Sequence, residues 1–375
     1  MLTREKIGTD EAFFLTVAAM IEVGTLMGAR DIAEKVGVDT WLVSPLETMF
    51  SLAAVYILTH LAMKFPEDDF FGFSRKIVGR WLAWPLSLGL AFYWLALAAH
   101  VARITTDVVK NSLLARTPAE VVLASLLLTA AYLAAKGLEP LARACIIITI
   151  VTLPLLMLLF VLVLPHLRLD NFLPIMPRGP LPVLRLAFWR ISNAEEMSLF
   201  LILVPFMQQP NEVWRAAGKG YLLIMAVVIT VLTTCQGVLG AETLKRTVIP
   251  GLTVTQLAEF AGTFIERISL LFISLWILLA FPTVTALLWA GAYLAGSSMF
   301  KLKDYRPLVF FYLPFVFFLA RLPKSNLEVK SFFYFLQPLG FAYLWVIPVF
   351  LYIIAVIRFP GRPKEKAGKF PGRKR

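Results

Sequence analysis

Apolar runs of 18 or more residues recur along nearly the whole of the 375-residue chain. A run of that length reads as a helix able to cross a hydrocarbon core about 30 Å thick at about 1.5 Å per residue. A backbone in hydrocarbon must satisfy its own hydrogen bonds, so an all-α integral membrane protein is expected. With 59% apolar, 13% aromatic and 16% charged residues, disorder is excluded and a soluble enzyme strongly disfavoured. No segment between the apolar runs is long enough to bury a core of its own. One transmembrane domain over 1–357 and a tail over 358–375 are therefore expected. Too few residues precede Glu11 for a cleavable signal peptide, so the first apolar segment is expected to stay as a membrane helix.

The apolar pattern divides into about ten spans: 11–28, 41–63, 81–104, 119–135, 144–164, 184–206, 221–240, a stretch from about 266 to 296, 307–320 and 332–357. Residues 68–80 read as an amphipathic surface piece and 254–261 as a short surface helix. Cys145 and Cys235 both fall in expected spans, so neither a disulfide framework nor a zinc site is indicated.

The sixth span is the anomaly. Its middle reads Arg190-Ile191-Ser192-Asn193-Ala194-Glu195-Glu196-Met197-Ser198. A charge at the bilayer centre costs roughly 2.5–3.5 kcal/mol, so three together need partners or water. The economical reading is a helix broken near 192–196, with freed backbone and acids facing a polar cavity. A plainer alternative puts Arg190 at an interface and starts the helix later, leaving only Glu195 and Glu196 to explain. The first span is interrupted too, at Ile21-Glu22-Val23-Gly24-Thr25, and Gly28-Ala29-Arg30 is expected to end it early. Each interrupted span begins a set of five, and an odd number per half inverts the second half against the first. The repeats are expected over about 11–165 and 184–357, with spans 1, 2, 6 and 7 packed against spans 3, 4, 8 and 9.

The net charge of +12 invites a nucleic-acid reading, but eight of the cations lie after Ile357. A basic tail at a membrane face suits anionic lipid and cytoplasmic retention better, so no nucleic-acid partner is expected. Apart from the tail, the two faces carry nearly equal numbers of cations. The cytoplasmic placement of both termini therefore rests mostly on that tail.

Several stretches taken in order carry a resemblance. They are Leu169-Asp170-Asn171-Phe172-Leu173-Pro174, Glu196-Met197-Ser198-Leu199-Phe200 with Val204-Pro205-Phe206, Phe264-Ile265-Glu266-Arg267 with Trp276, and Leu302-Lys303-Asp304-Tyr305-Arg306-Pro307. Their order and spacing resemble the B subunit of bacterial spore germinant receptors, a branch of the amino acid–polyamine–organocation permease superfamily. The resemblance implies a five-plus-five inverted repeat of the LeuT-like kind, with helices 1 and 6 broken. It also implies a nutrient sensor in the bacterial inner membrane, working with A and C partner subunits on an amino acid, an amine or a similar small germinant. One departure matters. The family's first break resembles Ile-Gly-x-Gly, and here Glu22 replaces the first of those glycines beside the retained Gly24. A carboxylate there would repel an anionic group and attract an ammonium.

The residues expected to line a ligand cavity are Glu22, Gly24, Thr25, Tyr93, Asn193, Glu195, Glu196, Thr283 and Thr285. Each has a plainer reading. Glu22 and Glu196 could be protonated carboxyls bonded between helices, and Glu195 could pair with Arg190. Tyr93, Thr283 and Thr285 could simply satisfy a backbone carbonyl or a neighbouring helix. His100 reads as a packed or interfacial histidine, and Glu266 with Arg267 as a structural ion pair. Trp41, Trp81, Trp84 and Trp214 read as interface anchors. There is no phosphate-binding glycine loop, metal-ligand spacing or nucleophile elbow, so no enzyme and no cofactor are expected. Two functions remain: a ligand-sensing receptor subunit, or a secondary transporter for an amino acid or amine.

Overall fold

The computed structural model describes residues 5–20, 24–257 and 268–359. Among these the regular elements are helical, and one isolated parallel bridge joins Ile7 to Met207. Over the first expected span the described residues form α1 (Thr9–Met20) and α2 (Gly24–Val36). Residues 21–23, including Glu22, lie outside the described residues. Gly28-Ala29-Arg30 does not end the second piece. Ala29, Ile32, Ala33 and Val36 recur on one buried face, while Arg30 and Glu34 pair one turn apart at 3.0 Å, so the helix continues.

The chain then follows as α3 (Thr40–Met63), α4 (Phe70–Val78), α5 (Arg80–Ser112), α6 (Ala119–Lys136) and α7 (Leu138–Val163). The helix α5 runs on past the expected end at 104, and α7 starts before the expected 144. The amphipathic α4 buries Phe70, Phe71, Phe73 and Ile77, and the Asp69 carboxylate caps it by accepting from the Gly72 amide at 3.0 Å.

The sixth span loses its α-helical ladder where its charges lie. The helix α8 (Pro180–Trp189) passes into a 3-10 stretch, Arg190–Leu199, and a short α9 (Phe200–Leu203). Inside the stretch Ala194 leaves helical geometry altogether, at φ −98° and ψ 25°.

Next come α10 (Val213–Arg246), α11 (Pro250–Gln256), α12 (Ile268–Tyr293), α13 (Arg306–Arg321), α14 (Asn326–Phe341) and α15 (Ile347–Arg358). The helix α10 bends at Gly240, whose φ of 71° is open to glycine and costly for a residue with a Cβ. The short helix expected at 254–261 begins earlier, as α11. Both α12 and α14 end in π turns, at Leu294–Met299 and Ala342–Val346. Glu266 and Arg267 lie outside the described residues.

Seven stretches among the described residues are long and apolar enough to cross a membrane. The expected sixth span is instead divided into short helices, and α13 has 16 residues. Hydroxyls inside the helices are satisfied locally: Thr48, Thr59, Thr105, Thr106 and Thr152 each donate to the carbonyl four residues back. The helices α1, α2, α3, α8 and α10 pack as one group, and α5, α6, α12 and α13 as another, with α1 resting on α12 between them.

The described ends of the chain share a face. Arg358 donates to the Ile77 carbonyl, the Asp69 cap also accepts from Ser298 at 2.7 Å, and Arg306 lies 3.8 Å from the Glu5 carboxylate. On that face the N-terminal segment stitches several elements together. Glu5 Oε2 accepts from the Leu138 amide at 2.6 Å, Lys6 donates to the carbonyls of Pro205 and Met207, and Thr9 donates to Glu212 at 2.7 Å. Gly137, at φ 106°, lets the Glu5 carboxylate press onto the start of α7.

Candidate functional site

The broken sixth span packs against α1, α3, α12 and α14, and α5 reaches it through a tryptophan. Trp94 on α5 is fully buried and donates from Nε1 to Ser198 Oγ at 2.8 Å, while Ser198 donates to the Glu195 carbonyl at 2.6 Å. A carbonyl released from the α-ladder thus acquires a side-chain donor, as buried backbone requires.

Glu195 and Glu196 are both buried and point to different neighbours. Glu196 faces the last turn of α1 among Leu15, Thr16, Ala19 and Met20. Glu195 Oε2 presses onto Gly340 of α14, at the point a Cβ there would occupy, and Tyr93 Oη lies 2.5 Å from the same point. Glycine at this position is what lets a carboxyl and a phenol share the space beside the α14 backbone.

Arg190 does not pair with Glu195. Its Nε donates to Glu47 Oε2 on α3 at 2.9 Å, with side-chain exposures of 14% and 5%. The Asn193 amide faces the fork of the same guanidinium, which has only donors to offer, so its oxygen is assigned to that side, accepting from Nη2 at 2.8 Å and Nη1 at 3.2 Å. The buried charge is therefore matched from two sides. The backbone amide of Arg190 also closes the C-terminal end of α8, donating to the Leu186 and Phe188 carbonyls.

Above this pair lies a cavity of about 470 Å³, within the range of about 300–1,000 Å³ usual for small-molecule sites. Arg190, Asn193 and Trp189 form its floor. Its walls come from α2, α5 and α14, and they include His100 stacked on Phe333 with ring centroids 4.9 Å apart. Its rim is made by the ends of helices remote from the termini, among them Lys35, Asn111 and Asn326. There Lys330 of α14 meets Asp31 at 2.7 Å and Glu34 at 3.6 Å, joining α14 to α2. The cavity thus reaches from the face opposite the termini down to the helix break.

Of the residues expected in a ligand cavity, Asn193 lines this one. Tyr93 and Glu195 come together beside Gly340, and Glu196 faces α1. Thr283 donates to the Ala18 carbonyl at 3.3 Å, tying α12 to the end of α1, and Thr285 donates to Phe281 in its own helix. Gly24 and Thr25 open the described part of α2, and Glu22 is outside the described residues. Inspection of the sequence passes over Glu47, Asp31 and Lys330. Glu47 had a usable signal, a single carboxylate inside an apolar run that must find a cation, with Arg190 in the same predicament. His100, read as packed, is packed and also lines the cavity. Of the tryptophans read as anchors, Trp81 is 95% exposed, while Trp41, Trp84 and Trp214 each make edge contacts with an aromatic neighbour.

Comparison with known proteins gives a consistent picture. A family profile described as "Spore germination protein" matches residues 6–329. Spore germination protein YndE of Bacillus subtilis (strain 168) is 28% identical over 86% of this chain and 89% of its own length. Spore germination protein A2 of the same strain is 23% identical over 94% and 96%, and GerLB of Bacillus cereus 23% over 94% and 95%. Among solved structures, the nucleobase-cation-symport-1 family transporter Mhp1, in a closed conformation with bromovinylhydantoin bound, superposes with a TM-score of 0.68 at 13% identity. That match covers 95% of this chain and 79% of that one. MhsT in complex with L-phenylalanine gives 0.67 at 12% identity, over 94% and 90%. These two likenesses establish the LeuT-like fold.

Proposed function

The chain belongs to the spore germination protein family, and we propose that within it this protein is a nutrient-sensing membrane subunit of the germinant-receptor B type. The observation that carries the reading is the cavity of about 470 Å³ descending from one face to a helix break that holds a buried ion pair. Such a chamber can bind an amino acid, an amine or a similar small molecule and transmit its presence through a segment that lacks a regular helical ladder. Its nearby polar groups are Asn193, then Tyr93, Glu195 and Glu196 one layer deeper, and Thr283 against α1. Glu22, Gly24 and Thr25 complete the proposed site across the first break.

The sensing unit acts with A and C subunits, sits in the bacterial inner membrane as one transmembrane domain of two five-span repeats, and keeps both termini in the cytoplasm. It carries out no catalysis. A secondary transporter for an amino acid or amine is the second reading, supported by the fold it shares with Mhp1 and MhsT. The similarity to spore germination proteins over most of the chain favours the sensor.

Two measurements on the full chain test this. Purified protein in nanodiscs is screened for thermal stabilisation by candidate germinants, and the stabilising compound is followed for uptake into proteoliposomes. Stabilisation without gradient-driven uptake is expected, together with loss of the germination response to that compound when the gene is deleted. Uptake driven by an ion gradient, with germination unaffected by deletion, would replace the sensor by the transporter.

A further inference from the structure

We propose that the fork of Arg190 is a carboxylate-binding subsite, and that the Asn193 amide oxygen now stands where the carboxylate of a ligand binds. The inference rests on the sensing role above and adds to it the chemical class of the ligand.

Three features of the guanidinium support it. First, its orientation is fixed from behind: Nε is committed to Glu47 at 2.9 Å on α3, so the opposite edge, Nη1 and Nη2, is the one presented to the cavity floor. A planar fork held in this way matches a carboxylate better than a freely rotating ammonium would. Second, Gly28 of α2 lies beside that edge. A Cβ built there would meet Arg190 Nη2 at 3.6 Å, so a longer side chain would close over the fork. Third, the group now in the fork is a neutral amide oxygen bonded to both Nη atoms, the end-on position of a carboxylate oxygen. A neutral acceptor holds that place more weakly than an ionised one, since charge-assisted hydrogen bonds are about twice as strong. An incoming carboxylate can therefore displace it.

The surroundings select further. Trp189, Ile104, Leu186 and the stacked pair His100 and Phe333 give the chamber apolar and aromatic walls. The acids near the rim are already matched: Asp31 by Lys330, Glu34 by Arg30 at 3.0 Å, and Asp107 by Arg103 at 2.8 Å. Lys35 lines the cavity with no acid within ion-pair distance among the described residues, leaving the entrance with an excess of positive charge. An anionic head on an apolar or aryl body fits both ends of this chamber. A ligand that also carried an ammonium would lie with its carboxylate toward the sixth span.

Displacement has a consequence for signalling. Asn193 belongs to the 3-10 stretch and precedes Ala194, the residue with non-helical geometry. Releasing its amide from Arg190 frees the segment that also carries Glu195 and Glu196, so recognition and rearrangement become the same event.

The test uses the full chain in nanodiscs and four probes: 3-phenylpropionate and L-phenylalanine, with their uncharged-head counterparts 3-phenylpropionamide and L-phenylalaninamide. Binding is read by thermal shift and by tryptophan fluorescence. The acids are expected to bind and the amides not to. Asn193→Ala removes the internal competitor and should tighten the acids roughly three- to tenfold, the equivalent of one neutral hydrogen bond. Asn193→Asp places a permanent carboxylate in the fork and should weaken them at least about tenfold, with the melting temperature kept or raised. These opposite signs from one position do not depend on removing Arg190, whose loss would strand Glu47. Amides that bind as well as acids, or acid binding unchanged in Asn193→Asp, overturn the subsite and leave the sensing role standing. Failure of both acids while another small molecule stabilises the protein does the same. Failure of every compound in the germinant screen overturns both.

Discussion

The Glu47–Arg190 pair offers the sharpest energetic test, because its partners are 143 residues apart in sequence and mostly buried. Their side chains are 5% and 14% exposed and meet at 2.9 Å, so solvent reaches the pair only from the cavity side. Replacing Glu47 by Leu leaves the guanidinium uncompensated at membrane depth, which costs about 3–5 kcal/mol. Replacing Arg190 by Met strands the carboxylate at a similar cost. Glu47→Gln is milder, about 2–4 kcal/mol, because the amide oxygen still accepts from Nε and recovers about 1 kcal/mol. The double variant Glu47→Leu with Arg190→Met should return close to the parent, since apolar replacement of a whole buried pair is often neutral or better. The expected coupling energy therefore exceeds about 2 kcal/mol, well above the scatter of about 0.5 kcal/mol for independent sites. Reversible unfolding in mixed micelles, followed by tryptophan fluorescence, measures all four corners of the cycle. Single variants as stable as the parent, or a double variant equal to the sum of the singles, would refute the claim that this pair bears its charge at membrane depth.

Gly340→Ala should destabilise the protein by about 1–3 kcal/mol and shift the ligand response, because its Cβ would meet Tyr93 Oη at 2.5 Å and displace Glu195; unfolding and binding titrations on the same sample check both. Glu5→Ala removes the acceptor that caps α7 and should cost about 1 kcal/mol, read as roughly fivefold faster hydrogen exchange at Leu138 and Glu139. Exchange unchanged at those amides would mean that the cap contributes nothing. A cysteine placed in the tail beyond 358 should resist impermeant maleimide in intact cells while one at Ser325 reacts, and the reverse pattern would invert the proposed orientation.

Much of the architecture is legible because membrane helices are written in long apolar runs, and α3 and α6 begin and end within a residue of where those runs do. The break at Arg190–Leu199 is legible for the complementary reason, that three charges in hydrocarbon demand an irregular backbone. Helix ends are harder. The helix α2 continues past Arg30 because its polar residues face the cavity and pair with each other, which a linear reading takes for a stop. The partner of Arg190 is not adjacent in sequence but across the bundle, and only the packing of α3 against α8 decides between Glu47 and Glu195. The cavity itself is legible in no single stretch, since its floor, walls and rim come from the ends of helices scattered along the chain.

The stitching on the terminal face has a kinetic meaning. Glu5, Lys6, Ile7 and Thr9 fasten the starts of α7 and α10 and the end of the sixth span with short polar contacts, several of them bridging more than 130 residues of chain. With that side laced shut among the described residues, the chamber opens toward the opposite face. In a sensor of the proposed kind an occupant would leave by the way it came, and the protein would register how long each one stays. Its timing would then follow the dissociation rate of the occupant. Of two compounds that fill the chamber equally at equilibrium, the slower to leave would produce the longer-lived state.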